Sequence, residues 1–143
     1  QVQRNAEAMS IAAYKQNIRQ VEAPRDIERR VLSRITSDIE TKKDEFDAAE
    51  TRSVRLSVLA NGLGHALAEN QHFWMALKHD LADQDNQLPT ELRASLISLA
   101  LWVERQTNGV ISGEAKVAPL VSINRSITDG LRGISSVAAV EGV

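Results

Sequence analysis

Three evenly spaced histidines are the first candidates for metal chemistry in this chain. His65, His72 and His79 recur every seven residues, which places them along one helix face but about 10.5 Å apart. Two ligands of one metal ion have to lie closer together than that. The spacing therefore favours three separate histidines over a metal site.

An acidic turn follows the last histidine and resembles the start of a calcium-binding loop. Asp80, Asp83 and Asp85 supply carboxylates at short spacing. Counted from Asp83, however, the sixth position is Leu88 where such a loop needs glycine, and the twelfth is Ala94 where it needs glutamate. A solvated acidic turn is an equally good interpretation.

No other group of residues has the arrangement of an active site. No serine stands in a recognisable pattern with histidine and aspartate, and no glycine-rich loop fits a phosphate. The chain contains no cysteine, which excludes disulfides, thiolate ligands and cysteine nucleophiles. The tripeptide Asn124-Arg125-Ser126 would matter as a glycosylation site only in a secreted chain. We therefore expect neither an enzyme nor a bound cofactor.

A group of arginines, Arg25, Arg29, Arg30 and Arg34, could contact RNA phosphates. Between positions 25 and 45, however, six positive side chains are balanced by six negative ones. No aromatic side chain that could stack on a base lies among these arginines. The balance predicts a salt-bridged helix surface and argues against direct nucleic-acid binding.

The composition is that of an ordinary globular domain. The 143 residues are 43% hydrophobic and 25% charged, with a formal net charge of −2 and only 3% aromatic residues, so one domain with a real core is expected. No apolar run approaches the roughly 18 to 20 residues of a membrane helix. The chain also lacks a basic start leading into an apolar stretch. We expect no membrane insertion and a cytoplasmic location.

Every segment with a periodic apolar pattern has the period of a helix. These segments cover residues 11–21, 27–46, 56–81, 88–105 and 120–131. The second is expected to run on into the third, because nothing between Phe46 and Arg55 breaks a helix. Within the third, Gly62 and Gly64 indicate either a close helix crossing or a break. The seam of the second segment consists of Ile27, Val31, Ile35, Ile39 and Phe46.

The segment 88–105 has an apolar surface too wide for a single contact. Pro89 suits the first position of its helix, and Thr107-Asn108-Gly109 offers a cap at its end. The polar turn before it is short enough for an antiparallel helical hairpin. We predict an all-α, compact bundle of four to five helices with loose termini. Residues 1–8 would be a leader, and the sequence leaves open whether it is native. Residues 9–132 would form the domain, and 133–143 a flexible tail.

A wide apolar helix surface in a chain without a recognisable catalytic or metal-binding motif indicates a protein-binding function. Large amphipathic rings such as Trp74 and Trp102 anchor interfaces well when they reach the surface. The candidate contacts are Trp74, Leu96, Trp102, Leu120, Ile123 and Ile127. Periodicity alone leaves open whether these side chains belong to the core of the bundle or to a groove for a partner helix.

Several ordered motifs resemble the FlaF family, the flagellar biosynthesis regulators of alphaproteobacteria. They are Ala13-Tyr14, Pro24-Arg25-Asp26-Ile27-Glu28, Glu69-Asn70-Gln71-His72-Phe73-Trp74, Asp80-Leu81-Ala82, Asn86-Gln87-Leu88-Pro89, Leu92-Arg93-Ala94-Ser95-Leu96-Ile97-Ser98-Leu99-Ala100-Leu101-Trp102-Val103 and Ile123-Asn124-Arg125-Ser126-Ile127-Thr128-Asp129-Gly130-Leu131. The resemblance covers residues 9–132, and the ordered set is more specific than any one motif.

The resemblance implies an all-helical cytoplasmic protein that acts as a flagellin export chaperone alongside the regulator FlbT. On that basis the chain would cover an amphipathic terminal helix of flagellin and release it at the export apparatus. Two alternatives stay open. The chain could act directly on flagellin mRNA, or it could be a scaffold for FlbT that never binds flagellin.

Overall fold

The computed structural model describes the backbone of residues 28–141 and the side chains of residues 28–130. All regular structure in this part of the chain is helical, which confirms the all-α prediction. The helices are α1 (28–47), α2 (Arg52–Val58), a π-helical turn (Leu59–Leu63), α3 (Gly64–Ala82), α4 (Thr90–Ile111) and α5 (Ala118–Glu141). The predicted leader 1–8 and first helix 11–21 lie outside the described residues.

The helix is interrupted between α1 and α2, where the sequence predicted one continuous helix. Regular structure ends at residue 47 and resumes at Arg52. The Thr51 hydroxyl accepts a hydrogen bond from the Val54 amide at 3.2 Å. A threonine in extended conformation is a strong helix start because it satisfies an amide that the new helix leaves unpaired. The prediction of continuity was therefore wrong.

The two glycines after α2 mark a break rather than a close helix crossing. Gly62 has φ +117°, a conformation that side-chain-bearing residues rarely adopt. Gly64 is back in helical conformation, and a Cβ atom there would lie 2.9 Å from the Leu59 carbonyl oxygen. Gly62 thus permits the backbone conformation of the π-helical turn. Gly64, which has no Cβ, leaves room for the Leu59 carbonyl close to its own backbone.

Helices α3 and α4 form the predicted hairpin. The Arg93 side chain donates hydrogen bonds to the carbonyl of Leu81 at 2.9 Å and to that of Asp83 at 3.0 Å. These carbonyls end α3 and have no partner within their own helix. Pro89 lies just before the first helical residue, Thr90, instead of occupying that position itself.

Helix α4 ends later than predicted. It continues through Thr107-Asn108-Gly109 to Ile111, and Gly113 adopts φ +81°. The Glu114 amide then donates to the Gly109 carbonyl at 2.8 Å, and the Gly113 amide to the Val110 carbonyl at 3.0 Å. This pair of bonds is a Schellman cap. The cap predicted at Gly109 was therefore wrong.

The core lies between all of the helices. Its most enclosed large side chains include Leu32, Ile39, Leu63, Leu67, Trp74, Leu81, Val103, Val110, Val117 and Leu120. In α1 the buried face contains Leu32 and Thr36 beside the predicted Ile35 and Ile39, whereas Val31 is 38% exposed. The predicted seam therefore erred by one residue at Val31.

A polar side chain attaches the end of α1 to the start of α5. The Asp47 carboxylate accepts the amides of Val117 at 2.7 Å and Ala118 at 3.0 Å, where α5 begins. A carboxylate at a helix N-terminus satisfies unpaired amides and complements the helix dipole. The backbone of α5 then continues to Glu141, beyond Gly133, where the apolar pattern in the sequence ends.

Candidate functional site

Trp74 lies inside the bundle at 1% exposure. Its indole Nε1–H donates to Asn124 Oδ1 at 2.9 Å, and Asn124 Nδ2 donates in turn to Asn70 Oδ1 at 2.7 Å. An indole N–H that leaves water needs such an acceptor. The three side chains join α3 to α5, so a partner does not reach Trp74 in this conformation.

The candidate contacts on α5 lie between core and surface. Leu120 is fully enclosed, while Ile123 and Ile127 are half-buried and pack against the core. The same helix carries Asn124 within its buried face. A partner approaching α5 would therefore find only parts of the two isoleucines.

The candidate contacts on α4 also lie between core and surface. Leu96 and Trp102 are both half-buried, and Trp102 packs one side against the core. Trp102 and Leu99 line a shallow surface groove of about 520 Å³. We call this feature the α4 groove.

Small side chains complete the α4 groove, and the search for large apolar contacts missed them. Ala94, Ser95 and Ser98 line it beside Leu99 and Trp102. Positions 94, 95, 98, 99 and 102 follow the three- and four-residue spacing of one helix face, so the pattern was present in the sequence. Leu92 and Leu101, on the same helix, are each 41% exposed. A helix of another protein could approach this face closely because the side chains in its middle are short.

The three histidines and the acidic turn do not come together in the described part of the chain. His65, His72 and His79 are all exposed, and no group of three potential metal ligands occurs among residues 28–141. Asp83 Oδ1 accepts the Asp85 amide at 2.9 Å, so this carboxylate shapes the turn before α4.

Arg34, one of the four arginines of the basic group, is paired across helices, while Arg25 lies outside the described residues. Arg34 contacts Glu69 at 2.7 Å and Asp38 at 3.1 Å. The hydrogen bond that Arg34 donates to the Glu69 carboxylate lowers the pKa of Glu69 and raises that of Arg34. Arg125, on α5, likewise contacts Glu40 at 2.6 Å and lowers the pKa of that carboxyl. The predicted salt-bridged surface is present at these positions.

Comparison with known families decides what kind of protein carries this groove. A family model described as flagellar protein FlaF matches residues 10–131. The chain belongs to the FlaF family. No match was found among curated proteins or among solved structures. The match confirms the resemblance predicted from the motifs, and the family is one of flagellar proteins.

The structure accounts for several residues of the FlaF resemblance. Asn70 and Trp74 belong to one quoted motif and Asn124 to another, and the three side chains meet in the core. The long motif at 92–103 forms the α4 groove and the adjoining core face. No described helix of this FlaF-family chain is long and apolar enough to cross a membrane.

Proposed function

We propose that this FlaF-family protein is a cytoplasmic flagellin-binding export chaperone that works with FlbT. Flagellin is taken as the partner because the FlaF family is flagellar. The observation that carries the proposal is the α4 groove, an apolar surface on a family member in which no cluster of metal ligands occurs among the described residues. The role needs neither catalysis nor a cofactor.

The α4 groove suits a helix as its occupant. Ala94, Ser95 and Ser98 are short side chains over which a helix backbone can pass closely, while Leu99 and Trp102 offer apolar contact toward the C-terminal end of the groove. An amphipathic helix binds such a surface by laying its apolar face on it. Covering a terminal helix of flagellin in this way would keep the subunit from assembling before it reaches the export apparatus.

The remaining predicted contacts take different parts in this proposal. Leu96 and Trp102 are accessible beside the groove, and Ile123 and Ile127 present part of their surface on α5. Trp74 and Leu120 are enclosed. They would contact flagellin only if α3 and α5 moved apart, which the hydrogen bonds of Asn124 oppose.

The proposal is tested with a substitution among the short side chains that line the groove. Ala94→Arg places a long charged side chain where a helix would pass, and Ala76→Arg places the same side chain on the exposed part of α3. Alanine and arginine are both strong helix formers, so neither variant should lose much stability. We expect flagellin to co-elute with the wild type and with Ala76→Arg, and at least tenfold less with Ala94→Arg.

Flagellin lacking its terminal helices and a range of salt concentrations separate the alternatives. A chaperone should not retain the truncated flagellin, and its binding should hardly change with salt. Direct action on flagellin mRNA would instead give RNA binding that weakens steeply with salt. Binding of FlbT but of neither form of flagellin would leave the scaffold role and contradict the chaperone proposal.

A further inference from the structure

A second apolar surface lies where α2 and the π-helical turn meet the end of α4. We call it the α2 pocket. It has a volume of about 350 Å³, and its apolar lining is Leu56, Leu59, Val110 and Ile111. Leu56 is 50% exposed and Ile111 55%, the latter being the largest exposure of any large apolar side chain in the described part of the chain. Leu56 is the first residue of the periodic apolar segment 56–81, yet the structure leaves half of its surface exposed.

Two arginines flank the α2 pocket on the α2 side. Arg52 and Arg55 line the pocket and stand one turn before Leu56 and Leu59, on the same helix face. Among residues 28–130, the Arg52 side chain forms no hydrogen bond or ion pair. The Arg55 side chain donates a hydrogen bond only to the Ala49 carbonyl, at 3.4 Å.

The local structure uses only part of this positive charge. The Arg55 guanidinium lies over Gly113, at the end of α4, where a cation complements the helix dipole. Arg52 has no such role. Glu50 and Glu114 lie on the flanking loops, and neither forms an ion pair within the described structure. The pocket thus combines exposed apolar side chains with an arginine, Arg52, whose guanidinium has no ion-pair partner among the described residues.

We propose that the α2 pocket docks a helical segment of a partner protein that presents apolar side chains next to a carboxylate. The apolar side chains would cover Leu56 and Ile111, and the carboxylate would accept charge-assisted hydrogen bonds from Arg52 and Arg55. No aromatic ring lines the pocket, so the stacking surface that single-stranded nucleic acids use is missing there. The site shares no lining residue with the α4 groove and does not depend on the flagellin proposal.

A defined peptide tests the docking site on the full chain. The probe is an acetylated and amidated alanine-based helical peptide with two leucines one turn apart and one glutamate between them. Its matched control carries glutamine in place of the glutamate. We expect shifts of backbone amide signals in α2 and the last turn of α4 on titration. The glutamine peptide should bind about tenfold more weakly, because it lacks the charge-assisted hydrogen bonds.

Variants of the chain identify the arginines. Arg52→Gln together with Arg55→Gln should weaken binding of the glutamate peptide about tenfold and leave that of the glutamine peptide unchanged. Arg105→Gln removes an exposed arginine of α4 outside the pocket and should change neither. Equal binding of the two peptides, amide shifts confined to the α4 groove, or no binding at millimolar peptide would overturn the proposal. Loss of flagellin binding in Ala94→Arg has no bearing on it.

Discussion

At the scale of single residues, the buried hydrogen bonds among Asn70 and Trp74 of α3 and Asn124 of α5 are a feature that the sequence did not indicate. Asn124 first stood out as part of a glycosylation tripeptide, yet its side chain is fully enclosed and bridges Trp74 and Asn70. Asn70 and Trp74 are four residues apart and share a helix face, which the sequence does indicate. Their partner lies fifty positions further along, and helical periodicity carries no information about such pairing.

Removing the amide of Asn124 should destabilise the protein strongly. Asn124→Ala leaves the Trp74 indole N–H and Asn70 Oδ1 without partners inside the core, and each buried unpaired group costs about 1 to 3 kcal/mol. We expect the free energy of unfolding, measured with urea, to fall by about 3 kcal/mol. The matched control Asn108→Ala changes an exposed asparagine of α4 and should have little effect. Equal effects of the two variants would show that the cluster adds no stability.

At the scale of elements, periodicity predicted the helices well and their ends poorly. Within the described residues, the apolar repeat of 27–46 corresponds to α1, that of 56–81 to α2 and α3 with the π-helical turn between them, and that of 88–105 to α4 from Thr90 onward. The errors concern breaks and caps, at Thr51 and at Gly113. An apolar repeat is a signal summed over many residues, whereas the position of a helix end depends on the backbone conformation of a single residue. A threonine or glycine that could end a helix occurs at several positions, and only the packing of the chain selects among them.

Replacing glycine by alanine should change the free energy of unfolding in opposite directions at Gly62 and at Gly130. Neither glycine has an atom within 4 Å of where a Cβ would lie, so backbone conformation alone distinguishes them. Gly62→Ala forces a side chain onto φ +117° and should lower the free energy of unfolding by about 1 to 3 kcal/mol. Gly130→Ala lies within α5 and should raise it by up to about 1 kcal/mol. Thermal unfolding followed by circular dichroism measures both. A stabilising Gly62→Ala would mean that the π-helical turn does not require this conformation.

At the scale of the whole molecule, composition and pattern predicted an all-helical bundle but not which apolar faces remain open. The wide apolar surface of 88–105 divides in the structure into a core face with Ala100 and Val103 and an accessible face with the α4 groove. That division depends on where α1, α3 and α5 lie, and so on contacts between distant parts of the chain. The site residues that a pattern search selects are large apolar ones, which explains why it included the enclosed Trp74 and omitted Ala94 and Ser98.

Two ion pairs between helices should make the stability of the bundle sensitive to acid. Arg34 on α1 holds Glu69 on α3, and Arg125 on α5 holds Glu40 on α1, each pair lowering the pKa of its glutamate. A carboxyl whose pKa is lower in the folded protein stabilises it above the pKa of the unfolded chain, about 4.3. That stabilisation is lost as the pH falls through the lower, folded value. Urea unfolding between neutral pH and acid should therefore show falling stability.

The double variant Glu40→Gln and Glu69→Gln should flatten the acid limb of this profile, because neither position then binds an additional proton in acid. At neutral pH the double variant should be slightly less stable than the wild type, since partly exposed ion pairs contribute little. Glu45→Gln is the matched control: Glu45 is exposed and forms no ion pair within the described residues, so the wild-type profile should persist. If the double variant keeps the full acid dependence, other carboxyl groups cause it and the two pairs do not couple α1 to its neighbours.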